Sequence, residues 1–291
     1  MKLRIKALLP YILGIVPSFK GKGRITLLLD AILTDYQDLH SYQVTGTLNG
    51  GIKFEFDLRP WGQKFAYYYR EWEEEYVDVL RRIYAGGIFL DVGSSLGLYV
   101  VSLGEAVRTK GGSIISVEPV PFNLDRQKRN VSLNGFDDLV CYFHLALGRE
   151  KSKARIYADP LGADNNAFIT EDGELEIDIL PLDHLVIERA VERIGLMKID
   201  VEGYEPLVIE GAAVTIRQDL PLIFAEFCRE RMQINELTID RSWHFLTNEL
   251  EYRCYVFDPK TKKLRFLSSP GVSENLFFIP KHSSIPRDLL S

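Results

Sequence analysis

Residues 88–97, Ile-Phe-Leu-Asp-Val-Gly-Ser-Ser-Leu-Gly, constrain this chain more than any other stretch. An apolar run of strand type ends at Asp91 and Val92, a turn carries Gly93 and Gly97, and an apolar helical pattern follows at Leu98, Val101 and Leu103. A second apolar strand at residues 113–117 runs into Glu118-Pro119. The spacing fits one strand–helix–strand unit with a carboxylate at the tip of the second strand. Gly97 lets the first helical turn approach the sheet or a ligand closely. Strand and helix patterns go on alternating beyond this unit. The expected fold is therefore α/β, with a doubly wound, mainly parallel sheet.

The turn excludes two common ligands. Counted from Gly93, a G-x-G-x-x-G dinucleotide fingerprint would need glycines where Ser95 and Leu98 stand, and no Gly-Lys-Ser/Thr closes the loop as a phosphate cradle requires. The form Asp-x-Gly-x-x-x-Gly suits S-adenosylmethionine, whose sulfonium and ammonium favour a nearby carboxylate over a row of backbone N–H groups. Glu118 stands where nucleotide-binding sheets accept hydrogen bonds from ribose hydroxyls. Residues 93–97 also match G-x-S-x-G, the nucleophile elbow of α/β-hydrolases, with Ser95 as nucleophile. Against that alternative, His144, His184, His244 and His282 sit in no obvious loop beside an acid. No His-Gly-Gly segment lies upstream, and too few strands precede the elbow.

Around this unit the chain divides into residues 1–60, an N-terminal extension, and residues 61–291, the main domain. Lys2, Arg4 and Lys6 precede an apolar stretch, 7–19, that is broken by Pro10, Gly14 and Pro17. It is too short and interrupted to span a bilayer, and Lys20, Lys22 and Arg24 follow it instead of a cleavage site. A packing extension is the plain reading, and a weak interfacial anchor the alternative. Residues 25–36 suit a helix, and 45–58 a hairpin about Asn49-Gly50-Gly51. In 71–84, Trp72, Tyr76, Val79, Leu80 and Ile83 mark one face of a helix, and Glu71, Glu73, Glu74 and Glu75 read as its solvated start.

Further on, 121–134 suits a helix, 140–147 a strand, 182–194 a helix, 195–203 and 220–227 strands, and 243–250 a helix. Residues 252–257 and 276–279 then close the sheet with an antiparallel edge. Residues 151–180 alternate at Leu175, Ile177 and Ile179 amid turn residues, and read as a β-hairpin inserted over the sheet as a lid.

Composition narrows the partners. A net charge of −6 without a Lys/Arg stripe argues against nucleic acid, and 46% hydrophobic with 26% charged residues is ordinary for a soluble domain. Cys141, Cys228 and Cys254 form neither a disulfide framework nor a zinc pattern, so a reducing, cytoplasmic setting is expected.

In such sheets ligands lie beyond the carboxyl ends of the strands, where Asp91, Glu118, Lys198, Asp200, Glu202 and Glu226 collect. The cluster can be a salt-bridge network that ties the sheet's end together. It can equally be a site in which a carboxylate with a raised pKa accepts a hydroxyl proton. Three carboxylates could hold a divalent cation, but their spacing is not diagnostic and no metal is expected.

Residues 91–97, 118–121, 182–183, 198–205 (Lys-Ile-Asp-Val-Glu-Gly-Tyr-Glu), 210–212 and 221–226 occur in an order that resembles the FkbM family of S-adenosylmethionine-dependent methyltransferases. The resemblance implies a Rossmann-like class I methyltransferase fold. It also implies methyl transfer to a hydroxyl oxygen of a sugar, glycan or polyketide-type molecule. Carried over, Asp91, Gly93, Ser94, Ser95 and Gly97 hold the methionine part of the cofactor and Glu118 its ribose. Asp200 faces the methyl group as general base, with Lys198, Glu202 and Glu226 as orienters or acceptor ligands. The chain departs from the family at Ser94-Ser95, where Ala-Asn is usual. A non-catalytic S-adenosylmethionine-binding protein is the alternative of a different class.

Overall fold

The computed structural model describes residue 10, residues 12–13, 22–33, 42–158, 167–170, 172–271 and 275–291. Helix α1 (Lys22–Leu33) precedes a hairpin of β1 (Gln43–Thr47) and β2 (Lys53–Asp57). The hairpin turns at Asn49-Gly50-Gly51, as the alternation in the sequence predicts. Helices α2 (Trp61–Tyr69) and α3 (Glu74–Ile83) lead into β3 (Ile88–Val92). From there α4 (Leu98–Thr109), β4 (Ser113–Val117), α5 (Pro121–Leu133) and β5 (Val140–Phe143) wind one half of the sheet. The other half is built from α6 (Leu182–Arg189), β10 (Ile194–Ile199), α7 (Glu205–Glu210), α8 (Ala213–Asp219) and β11 (Leu222–Glu226).

Eight strands form the main sheet in the order β13-β12-β14-β11-β10-β3-β4-β5, where β12 is Tyr252–Asp258, β13 Lys263–Leu267 and β14 Asn275–Pro280. Pairings from β11 through β5 are parallel, and those involving β14 and β13 are antiparallel. The doubly wound, mainly parallel architecture expected from the sequence is the one observed. Alternation along each strand feeds two cores. Phe89, Leu196 and Phe224 pack with α3, α4 and the hairpin aromatics Phe54 and Phe56. Leu90, Val92, Met197, Ile199 and Ile223 pack with α6, α7 and α8 on the opposite face.

Several boundaries shift. Helix α6 stops at Arg189 because Ala190 turns into the left-handed region, φ 48°, where 182–194 was expected to be continuous. The strand expected over 140–147 breaks into β5 and a short β6 (Ala146–Leu147) that leaves the main sheet. The expected hairpin over 151–180 is a larger object. There β7 (Ser152–Ala158), β8 (Ala167–Ile169) and β9 (Leu175–Leu180) join β6 in a four-stranded sheet of order β6-β9-β7-β8. Helix α2 and edge strand β13 were not foreseen. The end of the helix expected over 25–36 and most of residues 1–21 lie outside the described residues. Among the described residues no helix is long and apolar enough to cross a membrane.

Candidate active site

Three parallel neighbours, β4, β3 and β10, end side by side, and their tips form the floor of a cavity of about 280 Å³. Gly93, Ser95, Glu118, Pro119, Asn123, Asp200, Glu202 and Tyr204 line the floor, and Phe168, Ile156, Ile177 and Ile179 of the small sheet line the roof. The floor is drawn tight at Gly93, which has φ +74° and so close an approach to Asp200 that a Cβ there would lie 1.9 Å from its carbonyl oxygen. The Asp200 N–H donates to the Val92 carbonyl at 3.0 Å, which welds the two strand tips together. Any side chain at 93 would part them.

Glu118 organises the loop between β3 and α4. Its Oε2 accepts the Ser95 N–H at 2.8 Å and its Oε1 the Val120 N–H at 3.0 Å, with Asn123 Nδ2 at 3.4 Å. Burial nevertheless pushes its carboxyl up to about 7, since these donors only partly offset desolvation. Ser95 itself is left-handed, φ 47°. Ser94 points elsewhere: its buried hydroxyl bonds Ser116 Oγ at 2.7 Å, and Ser116 donates to Gln127 Oε1 at 2.9 Å. The side chain that the sequence placed among the ligand contacts is part of the packing between sheet and α5. Gly97 also stands back from the cavity, pressed against Gln127.

The acid–lysine cluster divides in two. Asp200 and Glu202 line the cavity, while Asp91, Lys198 and Glu226 stand outside its lining. Lys198 Nζ, nearly fully buried, donates to the Gly93 carbonyl at 3.1 Å and to Asp200 Oδ2 at 3.0 Å, and lies 3.6 Å from Asp91 Oδ1 and 5.3 Å from the Tyr99 ring centre. Burial alone would lower this ammonium, but Asp200, Asp91 and Glu73 around it outweigh that and raise it. Burial pushes Asp91 up to about 6 against the pull of Lys198, and neither of its oxygens has a hydrogen-bond partner. Burial, then the charges of Asp200 and Glu73, lift half-buried Glu226 to about 8.

Three contributors escaped the sequence reading. Glu73, expected in a solvated helix start, is exposed along its chain, yet its carboxylate turns inward to accept the Tyr99 hydroxyl beside Lys198. Tyr99 comes from the apolar face of α4, where nothing distinguishes it from a core residue. Glu205 lies within the segment 198–205, and its role is visible only in three dimensions. Its buried Oε1 accepts the N–H groups of Val201 at 3.0 Å and Gly203 at 3.1 Å, which fixes the loop that carries Asp200 and Glu202.

The G-x-S-x-G reading finds no partner. Among the described residues no histidine bonds Ser95, and His144 instead meets the Pro119 carbonyl at 3.0 Å. The described residues also hold no group of three side chains that could bind a metal ion.

Comparison with curated proteins gives no match. Among solved structures, the chain is similar to methyltransferase FkbM from Methylobacillus flagellatus KT, at 15% identity and TM-score 0.46, over 95% of this chain and 58% of that one. It thus spans little more than half of that protein's length. It is also similar to an O-methyltransferase from Bacillus cereus solved in complex with SAH, at 12% identity and TM-score 0.41, over 96% and 98% of the two chains. A profile of the methyltransferase FkbM domain matches residues 91–257. That match runs from the buried carboxylate on β3 to the end of β12 and takes in more than half of the sequence, so this protein belongs to the FkbM methyltransferase domain family.

Proposed function

We infer that this protein binds S-adenosylmethionine in the cavity beneath the small sheet and directs its methyl group to the oxygen of a sugar, glycan or polyketide-type hydroxyl. The observation that carries the reading is the convergence of Gly93, Ser95, Glu118 and Asp200 on one cavity at three adjacent strand tips. When bound, S-adenosylmethionine supplies an electrophilic methyl group on a sulfonium. Glu118 presents a desolvated carboxylate that suits ribose hydroxyls, and Pro119 and Leu145 offer apolar wall for a base.

In this reading Asp200 takes the proton of the acceptor hydroxyl, and Lys198 holds the carboxylate in place from behind. Glu202, which lines the cavity, orients the acceptor, and Glu226 acts from outside the lining through its charge on Asp200. The apolar roof excludes water, and positioning of methyl and oxygen supplies most of the acceleration. Residues 151–180 act as the lid that selects the acceptor within the 61–291 domain.

The test is calorimetric titration with S-adenosylhomocysteine, followed by a methyl-transfer screen over sugar and polyketide alcohols. Wild type and Asp200→Asn bind alike, Glu118→Ala loses binding, and Asp200→Asn loses turnover by at least about 100-fold. Near-normal turnover in Asp200→Asn removes the base. Retained binding with no acceptor methylated would favour a non-catalytic cofactor-binding protein.

A further inference from the structure

Helix α1 is turned the wrong way round for a helix that merely packs. Two of its polar residues, Thr26 and Asp30, face the protein. Thr26 and Asp30 are each 1% exposed, Thr26 Oγ1 lies 2.9 Å from the Tyr69 hydroxyl, and Asp30 accepts the Tyr68 hydroxyl at 2.7 Å and pairs with Lys64 at 2.8 Å. Gly23 completes this inner face against Phe65. The opposite face carries Ile25, Leu28 and Ile32, at i, i+3 and i+7, with exposures of 46%, 63% and 56%. Trp61, half-exposed, rests on Phe65 at 4.6 Å between ring centres and so adds an interfacial aromatic near the start of α1. Burying an aspartate inward while leaving three large aliphatic residues in water is costly unless the outer face has a partner.

The charge of the neighbouring sequence says what that partner is. Residues 1–24 hold Lys2, Arg4, Lys6, Lys20, Lys22 and Arg24 and no acidic residue, in a chain whose net charge is −6. Cations this dense in the sequence that leads into an outward apolar stripe match an anionic lipid surface, which would repel the rest of the acidic chain. We propose that α1 and the basic segment before it dock this protein on anionic membranes, with Ile25, Leu28 and Ile32 entering the headgroup–acyl boundary. The docking is peripheral, and the polar anchors Thr26 and Asp30 fix which face meets the lipid.

Co-sedimentation of the full chain with phosphatidylglycerol vesicles and with phosphatidylcholine vesicles tests this, beside sedimentation velocity without lipid. Wild type partitions onto phosphatidylglycerol and not phosphatidylcholine. Leu28→Glu with Ile32→Glu, and separately Lys20→Gln with Arg24→Gln, each weaken partitioning more than about tenfold at unchanged circular dichroism. Absence of vesicle binding overturns the proposal, as does equal binding by both variants. A wild-type dimer that the Leu28→Glu, Ile32→Glu variant converts to monomer, with no lipid binding, overturns it in favour of a second copy of this chain.

Discussion

Removing the Lys198 ammonium would leave Asp91 and Asp200 at the joined tips of β3 and β10 without their shared counter-ion. Asp91 is fully buried, has Lys198 as its ion-pair partner at 3.6 Å and has no hydrogen-bond partner, so it cannot turn to solvent for compensation. Lys198→Met is therefore expected to destabilise the fold by about 3–5 kcal/mol in urea titration, and adding Asp91→Asn to recover part of that loss. The strand-tip carboxylates were legible in the sequence because a parallel sheet delivers its ligands at one end. Glu73 and Tyr99 were not, because they arrive from α3 and α4, and an inward-turned glutamate looks the same in sequence as a solvated one. Ser94, whose hydroxyl turns to Ser116, shows a related gap between spacing and geometry. Spacing gives a loop's residues but not which of two adjacent hydroxyls turns toward the sheet.

At the scale of elements, α8 begins without a cap of its own. Ala212 precedes it, and the orphan N–H groups of Val214 and Thr215 are taken by Asp183 of α6 at 3.0 and 2.8 Å, which also accepts the Thr215 hydroxyl at 2.7 Å. Asp183 thus does from another helix what an N-cap residue does locally. Asp183→Ala is expected to cost about 1–2 kcal/mol in thermal or urea unfolding while leaving S-adenosylhomocysteine affinity unchanged, since Asp183 lies outside the cavity. The segment 182–183 belongs to the resemblance on which the family was read, yet its role here is scaffolding. Long periodic elements such as α3 and the strands of the main sheet were readable from apolar spacing. The small sheet was not: alternation reports strands but not how many pair, and β6 pairs through two residues only.

Across the whole molecule, several carboxyls resist ionisation together. Burial raises Asp91 to about 6, Glu118 and Glu205 to about 7, and Glu226 to about 8. Each is above its unfolded value, so the folded chain binds more protons than the unfolded one in this range. The stability these groups give at low pH is lost as pH rises through the raised values. Urea denaturation should show a folded state weaker by at least about 1 kcal/mol at pH 8 than at pH 6, and Glu118→Gln with Glu205→Gln should flatten the difference. The small sheet carries a different consequence. The chain enters it through Ala146–Leu147 and returns beside that doorway, with Ala146 opposite Ile179, Leu147 opposite Leu180, and the Gly148 N–H bonded to the Leu180 carbonyl at 3.0 Å. An excursion whose two ends meet can be lengthened, shortened or exchanged without re-threading the main sheet. Residues 148–180 therefore form a natural cassette, one that a graft could replace while the main sheet keeps its threading.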